Sequence, residues 1–380
     1  VNGWMDDISF VKEVLADKSK TVIAQTAPSV RVTVCEEFGS EPSSEETGRV
    51  VAALRKLGFD NVFDTDFGAD VTVVEESAEL VRRLREGGAL PVFTSCCPGW
   101  TRFCVKAFPE LNEHLSGVKS PQQIVGALTK TYFAEKTGKK AGEIFVVGVM
   151  PCYSKKLESR EEETEIPGAK QDVDFILTTK DFAKLIKQEG IDYHSLEPDS
   201  FDELLGTASG ASTLFAGTGG VMESVVRAAY YELMGGKELL PFVEDRRPGY
   251  GGTKEFTIEV GLEKPLRVAV VNGYDEARKM CERVLKEKKE GGRTIDFIEV
   301  LACRGGCVGG PGQPGNDPQQ VAKRAFGLRD LDAENTRVRN AHQNPDVKKL
   351  YREFLGETGG EKAHKLLHRK GTQEILETLK

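Results

Sequence analysis

No run of about eighteen apolar residues occurs in this 380-residue chain, so no membrane-spanning helix is expected. An excess of positive charge is missing too. The net charge is −8, the wrong sign for a nucleic-acid partner, which wants a basic face. No internal repeat of fixed period is present. The sequence opens on Val1 with neither a methionine nor a signal peptide, so a piece of a longer protein and a cytoplasmic location are expected. The eight cysteines do not read as a disulfide framework; several stand in ligand-like motifs, which fits a reducing compartment. What remains is an ordinary globular composition, 39% hydrophobic and 29% charged, long enough for one large two-lobed domain.

Short runs rich in Val, Ile and Phe alternate with amphipathic stretches. MDDISFVKEVLADKSK predicts a helix feeding a strand at 21–27. Helices are expected at 48–60 and 71–88, with strands at 61–67 and 90–95. A second series follows: strands at 143–150 and 173–179, a helix at 181–190, and strands at 267–273 and 296–302. Such βαβ alternation implies parallel sheets. The acidic run 159–171 reads as a solvated loop, and the turn-rich 244–255 as the link of a hairpin or excursion. Helices are expected within 344–356 and 360–370. The resulting division is a linker helix (1–20), a first lobe (21–142), a second lobe (143–317) and a helical C-terminal segment (318–380).

Three motifs follow predicted strands: FTSCCPGW (93–100), VMPCYSKKLE (149–158) and EVLACRGGCVGGPGQP (299–314). Open α/β sheets bind ligands beyond the carboxyl ends of their strands. Those ends deliver Cys96, Cys97, Cys152, Cys303 and Cys307, enough thiolate for an iron–sulfur cluster with one cysteine to spare. Zinc is the competitor, but structural zinc draws ligands in tight pairs; here only Cys303 and Cys307 pair, at i, i+4. That spacing predicts one face of a helical turn, whose N-terminus would favour an anionic cluster. Cys35, Cys104 and Cys281 lie outside the motifs and are expected to be buried thiols.

Taken together, the motifs resemble the signatures of the [FeFe]-hydrogenase catalytic domain, and the similarity extends from QTAPSVRV (25–32) to GEKAHKLLH (360–368). The resemblance implies an α/β fold of two lobes, each with a mostly parallel twisted sheet flanked by helices. The metal site would lie in the cleft between them, with a helical C-terminal segment. It implies an H-cluster: a [4Fe–4S] cluster on Cys97, Cys152, Cys303 and Cys307, with Cys307 bridging to a [2Fe] subcluster that carries CO, cyanide and a dithiolate. Lys155, Ser29 and the backbone at Ala27 and Pro28 would meet the cyanides. Gln122 would sit near the distal iron, and Met150, Met222 and Phe215 would form the wall. Cys96 would pass protons to the two-iron site, fed by Arg83, Glu79, Ser116, Glu76 and a water. Glu76, Glu79 and Arg83 share one helix face. Glu158 would orient the lysine loop. Glu75, about 100° around the helix, is expected to tolerate change.

The reaction so implied is 2H⁺ + 2e⁻ ⇌ H₂. A hydrogen-sensing domain and a Nar-type iron–sulfur assembly factor are the alternatives. Runs of the type C-x2-C-x2-C-x3-C-P are absent, so electrons are expected from ferredoxin or from iron–sulfur or flavin subunits linked to NAD(P). Maturation proteins would deliver the two-iron unit. Two departures from the family pattern stand beside the site, Leu301 where methionine is usual and Gly310-Pro311-Gly312 where three glycines are usual. Proline removes a backbone donor and fixes φ.

Overall fold

Strands β1 (Thr21–Thr26), β2 (Asn61–Asp64), β4 (Ile144–Met150) and β5 (Phe175–Thr178) form one sheet in the order β2-β1-β4-β5, parallel throughout. Strands β3 (Val92–Phe93), β6 (Gly252–Ile258), β7 (Leu266–Asn272) and β8 (Phe297–Leu301) form the second, in the order β3-β8-β7-β6. This sheet is parallel except where β6 pairs antiparallel with β7. The architecture is α/β, helices flanking both sheets. The computed structural model describes residues 6–161, 164–239, 250–335 and 337–369.

The runs form strands because they are buried on both faces, as parallel sheets require. In β1 and β4 nearly every side chain is inside. The first sheet carries one continuous core that includes Val22, Ile23, Val146, Val147, Ile176 and Leu177. The second is covered on both sides: Val268, Val270 and Phe297 pack toward helix Gly220–Leu233, while Ala269, Val271 and Ile298 pack toward helices Pro98–Ala107 and Tyr274–Lys289.

The sheets do not divide at residue 143. β4 pairs with β1 over six register positions, so the first sheet draws strands from both sides of that boundary, and β3 leaves its neighbours in sequence for β8. Nor does the strand expected at 61–67 run its full length. It stops at Asp64, whose carboxylate accepts from Asp66 N at 2.8 Å and caps helix Thr65–Glu86. The helix therefore begins six residues before the stretch that reads as helical.

Other loops are tied down. In the acidic run, Glu161 pairs with Arg102 at 2.5 Å and Ile166 is buried, so the part described is packed and not simply solvated. Residues 162–163 lie outside the described residues. So do 244–249, the first half of the turn-rich stretch; its second half enters the β6–β7 hairpin. The C-terminal part is helical over Pro318–Glu334, Pro345–Leu350 and Glu361–Leu367. Arg324 fastens it by a fork to Glu36 (2.6 and 2.7 Å) and a bond to Val308 O (2.8 Å). The remainder of that segment, 370–380, and residues 1–5 of the linker lie outside the described residues.

Candidate metal centre

The carboxyl ends of both sheets open on one cavity, the place where open α/β sheets hold their ligands. The first sheet contributes Ala27, Pro28 and Ser29 after β1, Thr65 and Asp66 after β2, and Met150, Cys152 and Lys155 at and after β4. The second contributes Cys96 and Cys97 after β3, and Leu301, Cys303 and Cys307 at and after β8. Gln122 and Phe215 complete the wall. Five cysteines far apart in sequence thus converge. Cys35, Cys104 and Cys281 are buried elsewhere.

Each cysteine loop has a local cause. Cys97 sits at the N-cap of helix Pro98–Ala107, with Pro98 in the first position that tolerates proline. Cys152 caps helix Tyr153–Glu158, its sulfur accepting from Ser154 N at 3.3 Å. Cys307 itself opens a short 3-10 turn, Cys307–Gly309, so the helix-terminus environment expected there is found in brief form at Cys307 and on longer helices at Cys97 and Cys152. Cys303 and Cys307 do not share a helical face. A turn separates them, with Gly306 N donating to Cys303 O at 3.0 Å and φ of 81° at Gly305 and 92° at Gly306. A Cβ on Gly306 would lie 2.8 Å from Ala216 O and Thr218 N; glycine is what allows this loop to press against the segment carrying Phe215. The unusual Gly310-Pro311-Gly312 stretch also packs closely. A Cβ on Gly310 would come within 2.5 Å of Pro151 O.

Burial pushes the Cys97, Cys303 and Cys307 thiols upward, and the neighbouring cysteines push them further. Four thiolates crowded into one buried cavity need metal charge to be compatible. Among the described residues, no group of three or more His, Cys, Asp or Glu side chains is arranged to hold a single metal ion. The all-sulfur donor set of Cys97, Cys152, Cys303 and Cys307 suits an iron–sulfur group.

Polar groups are poised around the same space. Ser29 Oγ and Gln122 Oε1 are buried without hydrogen-bond partners. Lys155 Nζ donates to Cys96 O (3.1 Å) and to Glu158 (2.8 Å). Burial works against its charge, but Glu158 more than compensates and holds the ammonium protonated. Glu158 is in turn held by Ser120 at 3.0 Å. Met150 and Phe215 line the cavity. Met222 is buried but stands outside its lining, its backbone N bound to Glu299 at 2.8 Å.

Beside the cavity runs a file of titratable groups. Burial pushes the Cys96 thiol well up, and nearby Glu76 adds to this. Glu76 is 1% exposed, its Oε2 has no partner, and burial lifts its pKa to about 8, opposed by a Ser116 hydrogen bond. Ser116 Oγ donates its one proton to Glu79 Oε2 at 2.9 Å. Glu79 Oε1 meets Arg83 Nη2 at 2.5 Å, and Arg83 donates to Ala89 O (2.8 Å) and Glu113 O (3.1 Å) at the periphery.

Glu75 is not the tolerant neighbour expected. It is buried and accepts from Tyr351, from Gly359 N (3.1 Å) and from His368 Nε2 (2.8 Å), so the C-terminal segment covers the helix face that reads as solvent-facing. Replacing it with alanine orphans several buried groups at about 1–3 kcal/mol each. Denaturant titration of Glu75→Ala is expected to show a stability loss on the order of 3 kcal/mol.

Residues 20–311 match the family described as iron only hydrogenase large subunit, C-terminal domain, and residues 318–373 match iron hydrogenase small subunit. The chain belongs to the iron-only hydrogenase family. It is 42% identical over 366 residues to the NADP-reducing hydrogenase subunit HndD of Solidesulfovibrio fructosivorans, covering 94% of this chain and 61% of that protein. It is 40% identical to iron hydrogenase 1 of Clostridium pasteurianum, covering 94% and 62%. The chain thus spans about three fifths of the length of these relatives. Cytosolic iron–sulfur assembly component 3 of Bos taurus is 32% identical, covering 94% and 75%. Among solved structures, an apo [FeFe]-hydrogenase HydA1 from Chlamydomonas reinhardtii superposes with TM-score 0.82 at 36% identity, covering 95% of this chain and 98% of that one. A [FeFe]-hydrogenase HydA(deltaEFG) structure describing stepwise H-cluster assembly gives 0.84 at 35%, covering 97% and 99%. Membership implies an iron–sulfur cofactor. No helix among the described residues is long and apolar enough to cross a membrane.

The sequence motifs named every cysteine of the cavity, but not Asp66 or Gln313. Gln313, whose Nε2 donates to Ser29 O at 3.3 Å, lay in the third motif and was legible there as a polar residue among glycines.

Proposed function

We propose that this chain is the catalytic domain of a [FeFe]-hydrogenase that interconverts protons and molecular hydrogen. The observation that carries the reading is the fifth cysteine. Cys97, Cys152, Cys303 and Cys307 suffice for a [4Fe–4S] cluster, and Cys96 remains free at the inner end of the Glu76–Ser116–Glu79 file. An iron–sulfur site that only stores or passes a cluster has no use for a proton path into its cavity. Cys307 would also bridge to a [2Fe] subcluster, with Lys155, Ser29 and the backbone at Ala27 and Pro28 toward its cyanides and Gln122, Met150 and Phe215 around it. When bound, the H-cluster supplies the electrons and the site at which hydrogen is made or split.

The chain's own residues manage protons and surroundings. Glu76 is neutral at pH 7 because burial lifts it to about 8. It therefore has a proton to give to Cys96 through an intervening water. Ser116, a donor and acceptor in one hydroxyl, links Glu76 to Glu79. Arg83 stays charged and carries no proton; it fixes Glu79 at the entrance and is a positioning residue. Lys155 keeps a fixed positive charge at the cavity wall. Electrons would arrive from ferredoxin or from iron–sulfur or flavin subunits linked to NAD(P), in keeping with the NADP-reducing relative, and maturation proteins would supply the two-iron unit. A reducing, anaerobic cytoplasm is the setting this reading expects.

Produced without the maturation machinery, the chain is expected to bind about four irons from a single cubane. Loaded with the two-iron unit, it is expected to show Fe–CO and Fe–CN infrared bands and to evolve hydrogen from reduced viologen. Stoichiometric zinc without iron would defeat the cluster assignment. A stable cluster with no bands and no turnover would instead favour the assembly-factor reading that the Bos taurus relative suggests.

A further inference from the structure

The relay leaves one buried carboxyl of the cavity unused. Asp66, in the first turn of helix Thr65–Glu86, is fully buried and belongs to the cavity wall with Ser29, Gln122 and Cys96. Its Oδ2 forms an ion pair with Arg31 Nη2 at 2.6 Å, and neither of its carboxyl oxygens has a hydrogen-bond partner. Arg31 is already committed elsewhere. It forks onto Asp64, Nη2 to Oδ1 at 2.6 Å and Nη1 to Oδ2 at 3.2 Å, the bidentate arrangement in which a guanidinium neutralises one carboxylate. Two carboxyls therefore share a single positive charge. Asp70, one turn further along the helix, adds acidity rather than relief, and is separately held by Ser209 and Asn344.

An uncompensated carboxylate in such a place takes a proton in preference to staying charged. Burial and the nearby Asp64 both push Asp66 that way, against Arg31. Across the wall, Arg31 and Asp64 line a different and larger cleft, bounded by Phe201, Asn335 and Asp346. The pair thus spans from one cavity to the other, Asp66 on the metal side and Asp64 on the cleft side.

We propose that Asp66 and Asp64 hold one proton between them and form a second proton-exchange route into the metal cavity, independent of the Cys96–Glu76–Ser116–Glu79 file. Only O–H bonds change. Water in the cleft gives a proton to Asp64 and regains one from bulk solvent. The proton passes from Asp64 to Asp66, whose carboxylates both meet Arg31 Nη2 at 2.6 Å, and Asp66 delivers it to an acceptor in the cavity. Arg31 stays charged throughout and fixes both carboxyls. The route's purpose rests on the hydrogenase reading, whereas the shared proton does not.

Infrared difference spectroscopy in H₂O and D₂O tests the shared proton, with or without metal. At pH 7 the Glu76→Gln protein is expected to keep a protonated-carboxyl band that shifts in D₂O, and adding Asp66→Asn is expected to remove it. Asp66→Asn keeps the shape of the side chain and leaves the Arg31–Asp64 fork intact, so the variant should fold. Turnover tests the route: in a Glu79→Gln background, Asp66→Asn is expected to lower the residual hydrogen evolution by roughly tenfold or more. A band that survives Asp66→Asn overturns the shared proton, and unchanged residual turnover overturns the route. Failure of the fully loaded wild-type chain to evolve hydrogen would count against the hydrogenase reading, and the carboxyl band still decides the shared proton by itself.

Discussion

Cys96→Ala is expected to leave iron content and cluster absorption intact while hydrogen turnover falls by roughly a hundredfold or more; Cys97→Ala is expected to lose the cluster. Adjacent cysteines make this a sharp test, because the two thiols differ in surroundings rather than in location. Cys303 and Cys307 each feel Cys97 more strongly than any other thiol, whereas the strongest neighbour acting on Cys96 is Glu76. Cys97 also caps helix Pro98–Ala107, which fixes its backbone beside the other ligands. On the proposed reading, removing Cys97 would take away one of four metal–thiolate bonds, whereas removing Cys96 would take away only a proton-exchanging group. Iron analysis, visible absorption and viologen-driven hydrogen evolution on both variants decide it. Loss of iron from Cys96→Ala with retention in Cys97→Ala would reverse the assignment within the pair.

The cysteines of the cavity were legible because each is carried by a short motif at the end of a short apolar run. The sheet partners were not. Nothing in TVIAQT or IFVVGVM says that they lie side by side; that pairing is decided by mutual burial across more than a hundred residues. Helix Thr65–Glu86 shows the same limit on a smaller scale. DTDF reads as more strand until Asp64 is seen to be a cap, and that error hid Asp66, which strand alternation had no reason to send toward a metal cavity. Glu75 failed for a third reason. Helical periodicity correctly placed it on another face from Glu76, but Tyr351, Gly359 and His368 cover that face from nearly three hundred residues away. Local pattern gives direction around a helix and cannot reveal what the rest of the chain lays over it.

Glu79→Gln keeps the shape of the side chain and removes its exchangeable acid, so turnover is expected to fall by about a hundredfold or more while Fe–CO and Fe–CN bands persist. The geometry makes Glu79 the narrow point, since Ser116 donates to it at 2.9 Å and Arg83 grips its other oxygen. Glu76 adds a pH signature. Its folded-state pKa of about 8 lies above the ordinary carboxyl value, so its contribution to stability is fully present below the unfolded value and is lost as pH rises through about 8. Over that window the wild-type chain should lose stability on the order of a few kcal/mol relative to Glu76→Gln. Proton delivery follows the same titration: above about pH 8 Glu76 is ionised and hydrogen evolution should decline. Equal turnover in wild type and Glu79→Gln would mean that protons enter by another path, and Ser116 would then lose its linking role along with Glu79.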